Sequence, residues 1–131
     1  MPKIRHIAIV AMDPDKLAKF YCEVFEMKEM HRSPSGNVHL SDGYFHLAIL
    51  RNKADGKANG LNHFGFQVED TEAVLERLKG HDVVTPTETR LDRPYVETRA
   101  TDPEGNTFDL AGPEHDFAAI EASAARRAKR A

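Results

Sequence analysis

Along residues 4–11, IRHIAIVA, apolar and β-branched side chains dominate, which predicts a largely buried strand. Asp13-Pro14 then supplies an N-cap and a proline at the first helical position, where its missing N–H costs nothing. Leu17, Phe20, Tyr21 and Val24 recur at i, i+3, i+4 and i+7, the spacing of one helix face. Three extended segments follow at 27–32, 37–41 and 44–51, separated by Pro34-Ser35-Gly36 and by Asp42-Gly43, a strong hairpin signal. The predicted order is β-α-β-β-β.

The second half repeats this plan. His63 to Val68, HFGFQV, alternates bulky with small or polar residues, as a half-buried strand does. Asp70 is read as the cap of a helix whose Val74, Leu75 and Leu78 face inward, with Gly80 as its stop. Residues 82–85, 95–101 and 106–111 are the remaining predicted strands, the last two joined by the turn Asp102-Pro103-Glu104-Gly105. An offset of 57 carries His6 onto His63, Asp13 onto Asp70 and Leu17 onto Val74. An offset of 63 carries Phe45-His46-Leu47-Ala48 onto Phe108-Asp109-Leu110-Ala111, the six extra residues falling in the polar stretch from Thr85 to Pro94. The expected architecture is therefore α+β: two βαβββ modules at 4–51 and 62–112 within a single domain, joined by a linker at 52–61 and followed by a helical tail at 113–131. A linker of ten residues reaches ~33 Å when extended, so the second module can pair with its own first module or with a partner chain's.

Composition narrows the class. A length of 131 residues fits one domain, and a hydrophobic fraction of 40% is too high for a disordered chain. A net charge of −3 leaves no basic footprint for nucleic acid. The longest apolar run, Ile7 to Met12, falls far short of the ~20 residues of a membrane helix, and the N-terminus lacks a signal-peptide core. The lone cysteine, Cys22, excludes an internal disulfide framework and fits a reducing compartment. These features predict a soluble cytoplasmic globular domain, with neither nucleic acid nor membrane as partner.

Strand alternation sorts the candidate chemistry. Ile7, Ile9 and Ala11 share one face, and His6, Ala8 and Val10 the other; Phe64, Phe66 and Val68 oppose His63, Gly65 and Gln67. The bulky faces are expected on the helices. The same sorting turns Phe45, Leu47, Phe108 and Leu110 inward and leaves His46 and Asp109 on the other side. His6, His46, His63 and Asp109 thus fall on one inferred face at places the duplication relates. A single strand histidine is ordinarily a hydrogen-bonded core or rim residue. Imidazoles joined by a carboxylate, however, are what Fe, Mn, Ni, Co or Zn accepts, and a two-His-one-carboxylate set leaves positions for water, substrate or dioxygen. Asn37, His39 and Ser41 on the third strand are candidates to line the site or form a solvated edge strand; Tyr95, Glu97, Arg99 and Thr101 make a polar face on the seventh, candidates to hydrogen-bond substrate or to orient a ligand histidine. Arg90 and Arg93 lie in the polar loop, within which they are solvated or close over an anion; His31, His81 and His115 read as surface residues.

Three segments carry a family resemblance: RHIAIVAMDPDKLAKFYCEVFEM at 5–27, GLNHFGFQVEDTEAVLERL at 60–78 and TDPEGNTFDLAG at 101–112. Together they resemble the vicinal-oxygen-chelate superfamily, which includes glyoxalase I, methylmalonyl-CoA epimerases, extradiol dioxygenases, fosfomycin-resistance thiol transferases and metal-free bleomycin-binding proteins. The resemblance implies a curled mixed-sheet cup around a divalent metal. It also implies His6, His63 and Asp109 as ligands, with His46 at the fourth-ligand place. Two departures stand out. The last-strand carboxylate is usually glutamate, whereas Asp109 is shorter by a methylene, and His46 stands where glyoxalase I has glutamate.

Three functions follow as expectations. The first is a metal-dependent lyase or isomerase of glyoxalase type that chelates vicinal oxygens, with Asp109 or His46 as general base. The second is an Fe(II) extradiol-type ring-cleaving dioxygenase. The third is a metal-free small-molecule binder of bleomycin-resistance type. Open sheets from two modules bury little alone, so a homodimer is expected, in which the cup is built within one chain or across two.

Overall fold

The computed structural model describes residues 1–81, 88–90 and 97–112, with 88–90 and 97 in their backbone only. The predicted segments Asp82 to Thr85 and 113–131, with Tyr95, Arg93 and His115, lie outside the described residues. Contacts divide the chain into two compact units, His6–Asn62 and Met1–Arg5 with His63 onward. Each holds one βαβββ module.

In the first module β1 (Lys3–Ala11) leads into α1 (Pro14–Phe25), then β2 (Lys28–Arg32), β3 (Val38–Ser41) and β4 (His46–Arg51). The strand order is β2-β3-β4-β1, antiparallel except for the parallel β1–β4 pair. α1 starts where predicted: the Asp13 carboxylate accepts a hydrogen bond from the Lys16 amide at 3.1 Å, and Pro14 follows the cap. Its packed face is rotated from the expected one. Pro14, Leu17, Ala18, Tyr21 and Cys22 turn inward, while Phe20 and Val24 are 49% and 55% exposed. The reason is steric: small Ala18 lets the helix axis approach the sheet, and a count of large apolar side chains overlooks it. Ala11, Val38, Leu40 and Ile49 complete this core, and full burial of Val38, Leu40 and Ile49 contributes ~1.5–3 kcal/mol each. The Asp42-Gly43 turn forms as read, with Asp42 Oδ1 accepting from the Tyr44 and Phe45 amides at 2.8 and 2.6 Å.

In the second module β5 (Gly60–Gln67), α2 (Thr71–Leu78), β6 (Glu88–Arg90), β7 (Glu97–Thr101) and β8 (Thr107–Ala111) follow in sequence. The order is β5-β8-β7-β6, with β5 and β8 parallel. The first residues of β1 belong to this unit, where Arg5 donates to Gln67 Oε1 at 2.9 Å. β5 begins inside the segment read as linker, and β6 lies inside the stretch read as polar loop. Glu-Thr-Arg has no apolar period, and β6 is marked instead by its antiparallel backbone pairing with β7. Phe64, Phe66 and Val68 pack with Phe108, Leu110 and Ala100 beneath Val74, Leu75 and Leu78, as alternation predicts. Asp70 caps α2 through the Ala73 amide at 3.1 Å. Gly80 does not stop the helix in a left-handed conformation: α2 ends at Leu78 and a right-handed Lys79 forms the cap.

Candidate metal centre

The parallel pairs fix which polar side chains share a face. In the second module Gly65 stands opposite Asp109, and Arg99 flanks Asp109 from β7. His63 lies one residue before the Phe64–Phe108 pair, on the same side of β5 as Gly65. With no side chain at Gly65, the His63 ring and the Asp109 carboxylate meet: His63 Nε2 is 3.1 Å from Asp109 Oδ2. Both are buried, at 8% and 1% exposure. Arg99 clamps the carboxylate through Nε to Oδ1 at 2.8 Å and Nη2 to Oδ2 at 3.2 Å. The same Nη2 lies 3.4 Å from His63 Nε2. A buried carboxylate needs such donors, since an unpaired charge away from water is costly.

The first module carries imidazoles on its corresponding face. His6 pairs with His46 across β1 and β4, His39 stands opposite Ala48, and His31 opposite His39. Successive ring centroids are 5.6 Å (His31–His39), 4.9 Å (His39–His46) and 5.6 Å (His46–His6). His39 Nδ1 and His46 Nε2 share a hydrogen bond of 2.7 Å, so one ring donates and the other accepts. His31 is exposed as predicted, but it sits on β2 in register with His39, not in a turn.

Pairing corrects the offset that placed His46 on Asp109. The hairpin partners Ser41–His46 and Thr101–Thr107 align His46 with Thr107, Ala48 with Asp109 and His39 with Arg99. The offset on the last strand is therefore 61, not 63. A slip of two residues preserves the face, which is why alternation did not expose it. The two modules thus offer different chemistry at one place: His39 beside Ala48 in the first, Arg99 beside Asp109 in the second.

Other candidates are placed individually. His39 is engaged with His46. Asn37 and Ser41 serve the backbone instead, Asn37 Oδ1 accepting from the Arg51 amide at 2.9 Å and Ser41 Oγ from the Gly43 amide at 3.0 Å. Tyr95 and the side chains of Glu97 and Arg90 lie outside the described residues. Arg99 is revealed as the partner of Asp109, which the register of β7 on β8 determines. The turn that aims β8 is held by Asp102, whose carboxylate accepts from the amides of Glu104 and Asn106 and from Asn106 Nδ2, each at 2.9 Å. The Asn106 side-chain bond, followed by its backbone bond, holds the Asp102 carboxyl below its ordinary range. Gly105, at φ +88°, closes this turn in a conformation that favours glycine.

Each unit thus carries one βαβββ module, and the second holds a buried histidine–carboxylate pair. The chain belongs to the Glyoxalase/Bleomycin resistance protein/Dioxygenase superfamily, which it matches over residues 3–110. It is 30% identical over 125 residues to an uncharacterized Escherichia coli (strain K12) protein, YaeR, covering 84% of this chain and 95% of that one. Among solved structures it is similar to a methylmalonyl-CoA epimerase from Mycobacterium tuberculosis, with TM-score 0.68 and 17% identity over 84% of this chain and 87% of that one. It is also similar to the 2,3-dioxygenase LapB from Pseudomonas sp. KL28, with TM-score 0.66 and 18% identity, over 84% of this chain and 40% of that longer chain. At these identities the two structures establish the shared fold. Among the described residues no helix is long and apolar enough to cross a membrane.

Proposed function

We propose that the chain is a divalent-metal enzyme that chelates two neighbouring oxygens of a small substrate and moves a proton beside them, as a lyase or isomerase. The observation that carries this reading is the buried pair of His63 Nε2 and Asp109 Oδ2, 3.1 Å apart. Adjacent ligands of one cation, each bound at ~2.0–2.2 Å, lie about 3 Å from one another, so the spacing and the nitrogen–oxygen donor set both fit. His6, which the 57-residue offset makes the counterpart of His63, is the proposed third donor. A bound metal supplies Lewis-acid charge to an enolate or oxyanion.

The proton is assigned to His46. Both Asp109 oxygens are already engaged by hydrogen bonds from Arg99. A proton taken up by His46 is instead shared along its 2.7 Å bond to His39, and His39 fixes the tautomer of the base. Solved structures of this fold include methylmalonyl-CoA epimerase in complex with methylmalonyl-CoA, so acyl thioesters with an acidic α-hydrogen are the first substrate class to screen.

Elemental analysis of protein purified without chelator or nickel resin tests the reading. About one metal per chain is expected, lost in His63→Ala. Iron together with oxygen uptake on catechols would replace isomerisation by ring cleavage. One observation favours a second reading: Arg99 already occupies the His63–Asp109 pair, as it would in a metal-free protein that holds a hydrophobic or cationic small molecule. Metal-free protein that binds ligand tightly, with chelator having no effect, would establish it.

A further inference from the structure

We propose that the Arg99 guanidinium is a built-in competitor for the cation, and that metal loading requires it to release Asp109 Oδ2 and His63 Nε2. The proposal rests on the metal reading above. Three atoms make the case. Asp109 Oδ2 and His63 Nε2 are 3.1 Å apart, and Arg99 Nη2 is 3.2 Å from the first and 3.4 Å from the second. The guanidinium thus contacts the same oxygen and the same nitrogen that the cation would use. Arginine stays charged at every pH a protein survives, so the competition is between two positive charges in a poorly screened place.

Burial says which partner yields. The Asp109 and His63 side chains are 2% and 8% exposed, whereas that of Arg99 is 26% exposed and so has a path toward water. Its Nε–Oδ1 bond of 2.8 Å is separate from the Nη2 contacts, so the carboxylate stays held by one oxygen while the other is given up. The first module supplies an internal control. At the equivalent register His39 stands opposite Ala48: where the carboxylate is absent, so is the guanidinium.

Co²⁺ titration followed by its visible absorption, on the full chain as wild type, Arg99→Gln and Arg99→Lys, tests the proposal. Glutamine removes the charge but still donates to Asp109; lysine keeps the charge. Arg99→Gln is expected to bind Co²⁺ at least ~10-fold more tightly, and its metal-free form to melt lower. Arg99→Lys keeps the positive charge and is expected to lack the tightening seen in Arg99→Gln. If Arg99 merely oriented Asp109, both variants would bind ~10–100-fold more weakly, as loss of outer-shell support does. Wild-type protein gives a check that needs no variant: the Arg99 guanidinium NMR resonances should shift on Zn²⁺ loading, and unchanged resonances overturn the proposal. Co²⁺ binding that disappears in His63→Ala but is not tightened in Arg99→Gln overturns the competition and leaves the metal reading standing. No Co²⁺ binding by wild type or Arg99→Gln overturns both.

Discussion

Asp109→Ala in metal-free protein isolates the energetics of the second module's polar cluster. The native carboxylate is 1% exposed and accepts from Arg99 Nε and Nη2 at 2.8 and 3.2 Å, with His63 Nε2 at 3.1 Å. Removing one member of a buried ion pair costs about 3–5 kcal/mol, because the partner charge is left without compensation. Arg99 is 26% exposed, so water recovers part of that loss, and an expected penalty of about 2–4 kcal/mol results. For a chain of this length each kcal/mol lowers the melting temperature by roughly 3–5 °C. Asp109→Asn keeps an acceptor for Arg99 and should cost about half as much, since a charge-assisted bond is roughly twice as strong as a neutral one. Urea unfolding in the presence of chelator measures both. The double variant Arg99→Met/Asp109→Ala removes both charges, and a coupling of at least ~1.5 kcal/mol is expected from the cycle. Single and double variants that add without coupling would refute the clamp. So would an Asp109→Ala penalty below about 0.5 kcal/mol.

Three further outcomes follow. His46→Ala should lower isomerase turnover ~10²–10⁴-fold with metal content unchanged, and His39→Ala should shift the pH profile in the same reaction; equal metal loss in either would recast it as a ligand. The Asp102 carboxyl is held below its ordinary range by Asn106, so its stabilisation is fully present above the unfolded carboxylate pKa and is lost as pH falls through the lower folded value. Asp102→Asn should therefore flatten the acid limb of a melting-temperature profile, and an unchanged limb would contradict the assignment. Light scattering should give a dimer, whereas a monomer at micromolar concentration would contradict the expectation drawn from two open modules.

Much of this arrangement was legible because it is local or periodic. Asp13-Pro14 and Asp70 start helices through their own side chains, and the two-residue period of Phe64, Phe66 and Val68 reports a buried face without knowledge of the neighbours. The misses share a physical origin. Phe20 and Val24 scored as core because large side chains weigh most in an apolar count, yet packing distance at α1 is set by Ala18. β6 has no periodic signature and is marked instead by its pairing with the β7 backbone. The 63-residue offset sets His46 on Asp109 because alternation is blind to a slip of two. The five-residue turn from Asp102 to Asn106, against four from Asp42 to Phe45, carried the missing register information.

That register difference also explains how one duplicated frame supports two kinds of chemistry. With His46 aligned to Thr107, and Ala48 to Asp109, the carboxylate falls opposite Gly65 and beside Arg99, in a place the first module fills with alanines at 8 and 48. The second module therefore concentrates fixed charge, one anion and one cation, around His63. The first keeps imidazoles in its row from exposed His31 to His6, joined where His39 and His46 share a hydrogen bond. Fixed charge suits holding a cation or an oxyanion, and a hydrogen-bonded imidazole pair suits passing a proton. On the proposed reading, a fold that keeps His6 and His63 in common and differs at the last strand would separate the binding of charge from the movement of protons, the two demands that proton transfer beside a chelated oxygen makes.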